Sequence, residues 1–301
     1  MKKARAKQNM VPLQELNLTN RFLFDEVMED AQTQQEVLSI IFGKEIPLLK
    51  HNESEKEMRL SPLIRSIRMD IFSTDEEDTV YATEMQDYRK RDIPKRSRYY
   101  QALMDTSLLE PGVPNYNLLN NTYLIMFMTF DLFGYKKYRY TFVPQCVEVP
   151  ECELGDGAVR IFLNTKGKND HEIPSELIEL LHYLEDTTDI RAQRAESDRI
   201  RRIHERVRKV KASEEVGVKY MQAWEERYFD KQEAREEGLA EGRAEGRAEG
   251  RAEGRASMMK ELIEKKLQKG KSVEEIADSL EESVNTIQVF INKMNAEGTK
   301  K

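Results

Sequence analysis

Only two cysteines, Cys146 and Cys152, occur in the 301 residues. Their C-x5-C spacing, with no histidine nearby in sequence, fits neither a zinc framework nor a disulfide scaffold and leaves reduced thiols as the expectation. Nowhere do about eighteen apolar residues run consecutively, and the basic start MKKARAKQNMVPLQEL lacks the apolar run of a secretory signal. No membrane partner is therefore expected, and the chain reads as soluble and cytoplasmic. His51, His171, His182 and His204 are scattered without ligand spacing, no Ser/His/Asp or Cys/His signature is recognisable, and no glycine-rich phosphate loop follows a strand. The single tryptophan, Trp224 in KYMQAWEERYF, is most simply a helix-packing residue. A net positive charge is also missing. The formal charge of -7 argues against indiscriminate coating of nucleic acid, although a local basic patch can bind phosphates on an acidic protein.

What is present is length for one good-sized core plus appendages. The charged fraction of 34% is high enough that long solvated helices should accompany the globular part. Residues 19–43 place Phe24, Val27, Met28, Val37, Leu38, Ile41 and Phe42 at mostly helical spacing, with Gly43 as a stop. They predict one helix, or two broken near Asp30. LIRSIRMDIF (63–72) and TVYATEMQ (79–86) both tend to alternate and flank an acidic loop, the signature of a hairpin. DYRKRDIPKRSRYYQALMDTSLL then predicts a basic helix starting or interrupted near Pro94, with Tyr99, Leu103 and Leu108 on its apolar face. NTYLIMFMTF (121–130) is a continuous apolar run, as expected of a strand covered on both faces. KYRYTFVPQCVEV and VRIFLNTK are further strand candidates, separated by the turn ECELGDG. The pattern is helical from Pro174 onward. An α/β or α+β domain follows from this order.

Residues 191–211 hold nine Lys/Arg against three Asp/Glu. This stretch could face phosphates, but a solvated face or an internal ion-pair partner for the acidic remainder explains it more simply. Residues 238–256 repeat AEGR, with glycines at 238, 242, 246, 250 and 254. Like charges at i,i+4 and a cost of about 1 kcal/mol per glycine predict a poor helix in isolation. The repeat reads as a length-variable linker or, if ordered, as a helix whose glycine stripe admits a second copy. In the tail, Ser272 and Glu275 form a capping-box pattern. SVEEIADSLEESVNTIQVFI resembles a helix-turn-helix with Val273, Ile276, Ala277, Leu280, Val284, Ile287 and Phe290 as core positions. Glu281 stands where the turn usually has Gly, and the second helix has few basic residues, so a packing or oligomerisation hairpin competes with DNA reading.

The hairpin carries the chemistry. Alternation puts Arg68, Asp70 and Phe72 on one face of the first strand and Ala82, Glu84 and Gln86 on one face of the second. A loop centred near residue 76 or 77 brings Asp70 and Glu84 within a residue or two of each other across the ladder. Two such carboxylates repel unless a cation joins them, and Mg²⁺ or Mn²⁺ suits oxygen ligands of this kind. On spacing alone, an edge hairpin with both acids facing solvent is the simpler reading.

The stretches R-M-D-I-F (68–72), Y-A-T-E-M-Q (81–86), K-R-S-R-Y-Y (95–100) and P-N-Y-N-L-L-N-N-T-Y-L-I-M (114–126), in this order, resemble the PD-(D/E)XK nuclease family transposases, the group that includes Rpn recombination-promoting nucleases. The resemblance runs from about Leu18 to about Thr165, and a helical tail with Glu-Gly repeats is typical of the group. It implies an α/β fold with a restriction-endonuclease-like core of αβββαβ order, followed by a helical C-terminal extension. It also implies that Asp70, Glu84 and Gln86 are catalytic, with Gln86 at the position where the wider superfamily has Lys. Asp70, Glu84 and the backbone carbonyl of Met85 would hold Mg²⁺ or Mn²⁺. Arg68, Lys90, Arg91, Arg96, Arg98 and Tyr99 are candidates for contact with DNA phosphate, Lys90, Arg91, Arg96 and Arg98 being expected on the helix after the hairpin. Asn20 occupies a place where relatives often have Asp, so no upstream acidic ligand is named.

The expected organisation is a nuclease-like domain over 15–175, a helical extension over 176–230, the repeat within 231–256 and a helix-turn-helix-like tail over 257–301. The function implied is a metal-dependent DNA endonuclease that promotes recombination or transfer of mobile DNA, with possible homo-oligomerisation through the C-terminal helices. A nuclease fold that binds DNA or protein but cuts poorly, because Gln86 replaces Lys, is the alternative, and an assembly protein dominated by the repeat and tail is the third.

Overall fold

Two capping side chains divide the first helical segment at Asp30. In the computed structural model, which describes residues 10–58, 67–109 and 112–298, α1 (Arg21–Met28) precedes α2 (Ala31–Phe42). The Asn20 side chain accepts the Leu23 N–H at 3.4 Å and Asp30 accepts the Thr33 N–H at 2.9 Å, satisfying donors that a helix start leaves unpaired. Gly43, at φ 65°, ends α2 in the left-handed conformation that glycine adopts without steric cost.

The sheet strands are β1 (Leu49–Met58), β2 (Ile67–Asp75), β3 (Val80–Gln86), β4 (Thr122–Met128), β5 (Arg139–Phe142) and β6 (Ala158–Asn164), and α3 (Ile93–Leu108) lies between β3 and β4. They form a six-stranded mixed sheet in the order β1-β2-β3-β4-β6-β5. β1, β2 and β3 are an antiparallel meander, β3, β4 and β6 run parallel, and β5 returns antiparallel along β6. From α2 to β4 the order is αβββαβ. β1 was not expected, since its sequence LKHNESEKEM is polar and its side chains are mostly exposed or half-buried along a sheet edge. Of the expected strand over 137–149 only Arg139–Phe142 is strand. Pro144 has no N–H to give a ladder, and beyond it a single bridge joins Gln145 to Glu153. Residues 63–66 of the expected first hairpin strand lie outside the described residues.

Alternation along β4 feeds two cores. Ile125 and Phe127 pack with Phe24, Val27, Leu38 and Leu181 on one face, while Leu124, Met126 and Met128 pack with Ile93, Leu103 and Met104 of α3 on the other. The first core is closed by α4 (Ser175–Glu185), α5 (Asp189–Arg194) and α6 (Asp198–Ala212). In the basic stretch Ile200, Ile203, Val207 and Val210 of α6 are buried, Arg199 and Arg202 pair with Glu36 at 3.2 and 2.6 Å, and Arg199 pairs with Glu176 at 3.3 Å. Much of that positive charge is thus matched inside the domain.

α7 (Glu214–Gln268) contains the whole AEGR repeat, which is helical. Ala, Glu and Arg are good helix formers, and a repeat flanked by helix on both sides needs propagation but no new nucleation. The chain divides into two compact units at Trp224 and Glu225. Within the first, Tyr220 of α7 packs on Phe22 at 5.1 Å and donates to the Val11 carbonyl at 2.8 Å. Within the second, Ile263 of α7 meets Ile276 and Ala277 of α8 (Val273–Leu280) and Ile287 of α9 (Val284–Gly298). The capping box forms, with the Glu275 N–H donating to Ser272 Oγ at 3.3 Å and the Ser272 N–H to the Glu275 carboxylate at 2.8 Å. Glu281 adopts the left-handed conformation, φ 55°, at the position where glycine is usual. Val284, expected in this core, is instead 46% exposed, because it opens α9. No helix among the described residues is long and apolar enough to cross a membrane.

Candidate active site

The β2–β3 ladder pairs residues as far as Ile71 with Thr83, and one step further Asp70 faces Glu84. There the side chains replace the ladder bonds. The Asp70 N–H donates to the Glu84 carboxylate at 3.0 Å, and the Met85 N–H donates to the Asp70 carboxylate at 2.8 Å. Each strand's main chain thus fixes the other strand's acid. Neither acid faces solvent, at 1% exposure for Asp70 and 2% for Glu84. A carboxylate buried this deeply needs charge compensation.

Compensation arrives from both sides of the sheet. From α1, the Arg21 guanidinium comes within 2.5 Å of Asp70 Oδ1 and 3.6 Å of Asp25 Oδ2. From α3, Arg96 lies over the Tyr100 ring at 5.5 Å, and its charge acts on both Asp70 and Glu84. Three buried carboxylates are therefore gathered beside two half-buried guanidiniums. Burial, and then the neighbouring Asp70 charge, push Glu84 well above the usual carboxylate range. Burial also raises Asp70, opposed by Arg21 and by the Met85 N–H. Asp25 is pushed up to about 9 by burial and by Asp70, against the pull of Arg21.

The Asp25 shift predicts a pH dependence. A carboxyl whose folded pKa lies above its unfolded value of 3.8 keeps its proton longer in the folded state, so its contribution to stability is full below that value and is lost as pH rises toward 9. Asp25→Asn is expected to flatten this decline and to raise the melting temperature at alkaline pH by several degrees, about 2–4 °C per kcal/mol. Thermal unfolding followed across this range in metal-free buffer checks it, and an unchanged slope would count against a buried, proton-retaining Asp25.

Several polar atoms in this volume lack hydrogen-bond partners among the described residues: Asp70 Oδ1, Asp25 Oδ1, Arg21 Nε, and Nε and Nη2 of Arg96. Arg21 touches Asp70 Oδ1 without hydrogen-bond alignment. Asp70, Glu84 and the Met85 carbonyl are hard oxygen donors that fit a divalent cation such as Mg²⁺ or Mn²⁺. No group of three or more His, Cys, Asp and Glu side chains among the described residues is arranged to hold a metal, so such an ion would complete its shell with the carbonyl, water or phosphate. Gln86, 9% exposed, donates its amide to the Met85 carbonyl at 3.0 Å.

The expected phosphate contacts scatter. Arg96 reaches the acids. Arg98 is exposed on α3, and Arg68 is exposed and pairs with Glu55 at 3.4 Å. Lys90 and Arg91 are exposed in the turn before α3 and not on the helix itself, because the helix starts only at Ile93, with Pro94 in its first turn. Tyr99 is half-buried against the α3-side core. Arg21 and Asp25 were not singled out from sequence. The available cue was Asp25 itself, an acid between Phe24 and Val27 on the apolar face of RFLFDEVM, a helix buried on nearly every side. Asn20 only caps that helix.

No curated protein and no solved structure matches the chain. The sequence model of the PD-(D/E)XK nuclease family transposases matches residues 23–238, an interval holding all six strands, both sheet acids and Asp25. With that match across most of its length and a mixed sheet of αβββαβ order beneath it, the chain belongs to the PD-(D/E)XK nuclease family transposases.

Proposed function

We propose that this protein is a Mg²⁺- or Mn²⁺-dependent DNA endonuclease of the Rpn type, hydrolysing phosphodiester bonds and thereby promoting recombination or transfer of mobile DNA. The observation that carries the reading is the reciprocal pairing of Asp70 and Glu84 with each other's main chains, which supports two acids in fixed positions at the end of a sheet. Asp70, Glu84 and the Met85 carbonyl would hold the cation, which when bound lowers the pKa of a water and polarises the phosphoryl oxygen. The Met85 N–H orients Asp70, and the Gln86 amide steadies the Met85 carbonyl. Arg96, half-buried with Nε and Nη2 enclosed and short of acceptors, suits the anionic phosphate that develops charge during attack. Arg68, Lys90, Arg91, Arg98 and Tyr99 would contact the flanking phosphate backbone, with Tyr100 beneath the Arg96 guanidinium. In this reading residues 15–175 form the nuclease domain and 176–230 a helical extension. The helices of 231–256 and 257–301 would join copies of the chain, and the protein works in the cytoplasm with Cys146 and Cys152 reduced.

Gln86 favours a second reading, a module that binds nucleic acid and cuts poorly. Its amide is engaged with Met85, and it cannot supply the positive charge of Lys. Cleavage of supercoiled plasmid by the purified chain in Mg²⁺, Mn²⁺ or EDTA separates the two. Metal-dependent nicking that disappears in Asp70→Ala supports the enzyme. Equal nicking in wild type and Asp70→Ala marks a contaminant and removes the support. DNA binding without nicking favours the second reading.

A further inference from the structure

Arg21 and Asp25 sit one turn apart on α1, and neither is explained by packing. The Arg21 side chain is 41% exposed while that of Asp25 is 10% exposed, so the guanidinium has room to move and the carboxylate does not. Arg21 lies closest to Asp70 Oδ1, but without an aligned N–H, and its second contact, to Asp25, is long at 3.6 Å. The guanidinium thus sits on Asp70, while Asp25, reached only at 3.6 Å through Oδ2, keeps Oδ1 without a hydrogen-bond partner. A divalent cation on Asp70 Oδ1 and the Arg21 nitrogen 2.5 Å away cannot share that oxygen, because like charges at contact distance in a buried site repel strongly. One must leave, and the only acid at i,i+4 from Arg21 is Asp25.

We infer that Arg21 is an internal counter-ion of the metal-binding acid, holding Asp70 in the metal-free protein and transferring to Asp25, whose carboxyl gives up its proton to solvent as the guanidinium arrives, when a divalent cation binds. This rests on the reading of Asp70 and Glu84 as metal ligands. Metal affinity is then set by a competition inside the chain. Removing the competitor tightens binding, and removing the place it retreats to weakens binding.

The test is calorimetric titration of Mn²⁺ into the full chain without nucleic acid, for wild type, Arg21→Met, Asp25→Asn and Asp70→Ala. Arg21→Met keeps much of the aliphatic stem and drops the charge, and is expected to bind Mn²⁺ about tenfold more tightly, within the usual range of coupling between competing ligands. Asp25→Asn is expected to bind severalfold more weakly, and Asp70→Ala to lose the site. Arg21→Lys, which keeps a charge with shorter reach, should fall between wild type and Arg21→Met and guards against a misfolded Met variant. The thermal shift produced by Mn²⁺ should be larger for Arg21→Met than for wild type, since the variant's metal-free state leaves Asp70 less compensated. Binding lost in Asp70→Ala but equal or weaker in Arg21→Met would overturn the counter-ion role and leave the metal site standing. No binding in any protein, or binding indifferent to Asp70→Ala, would overturn both.

Discussion

Glu84→Gln is expected to abolish metal-dependent nicking while making the metal-free protein more stable. The side chain keeps its shape, and its amide oxygen can still accept the Asp70 N–H that now reaches the carboxylate at 3.0 Å. What disappears is a negative charge that burial and the adjacent Asp70 already disfavour. A neutral amide is a poor ligand for a hard cation, so the expected loss in rate is about 10³-fold or more, the scale of removing a key electrostatic element from a site. Plasmid nicking and thermal melting of the same preparation read both effects. A variant that nicks normally, or that melts well below wild type, would show that Glu84 is kept for the fold and not for chemistry. The opposite signs of the two effects are what a site selected for function at a cost in stability should give.

Ile287→Ala is expected to unfold the C-terminal unit and leave the nuclease unit intact. Among the described residues of that unit only four are fully or almost fully buried, Ile263, Ile276, Ala277 and Ile287, with Met259, Val273, Leu280 and Phe290 around them. Truncating a buried Ile to Ala costs about 2–5 kcal/mol, and a core this small has little more to lose. Limited proteolysis should cut within residues 257–298 at a much greater rate in the variant, while protection of residues 10–224 and metal-dependent nicking stay at wild-type level. Simultaneous loss of protection in both regions would mean that the two units fold as one.

Patterns of burial decided which elements were legible from sequence. β4 announces itself because both its faces are covered, and the α1–α2 break because Asp30 is a good cap. β1 stayed hidden because an edge strand with side chains toward water has no apolar period to detect, although it completes the αβββαβ order. The repeat's composition predicts a poor helix for an isolated segment, whereas its helix is continued from both sides. At the site, Asp70 and Glu84 could be paired from the hairpin's own symmetry. Arg21 and Asp25 could not, since an Arg and an Asp at i,i+4 look like a routine surface pair until the fold brings β2 beneath them. Arg96 was one of several basic residues after the hairpin, and only the packing of α3 on the sheet singles it out.

The crossed bonds between β2 and β3 also give the molecule built-in spectroscopic probes. The amide protons of Asp70 and Met85 each end on a carboxylate of the other strand, so any change in what those carboxylates hold alters the shielding of a main-chain nitrogen nearby. Two backbone resonances, assignable without touching a single side chain, therefore report the occupancy of the site one acid at a time.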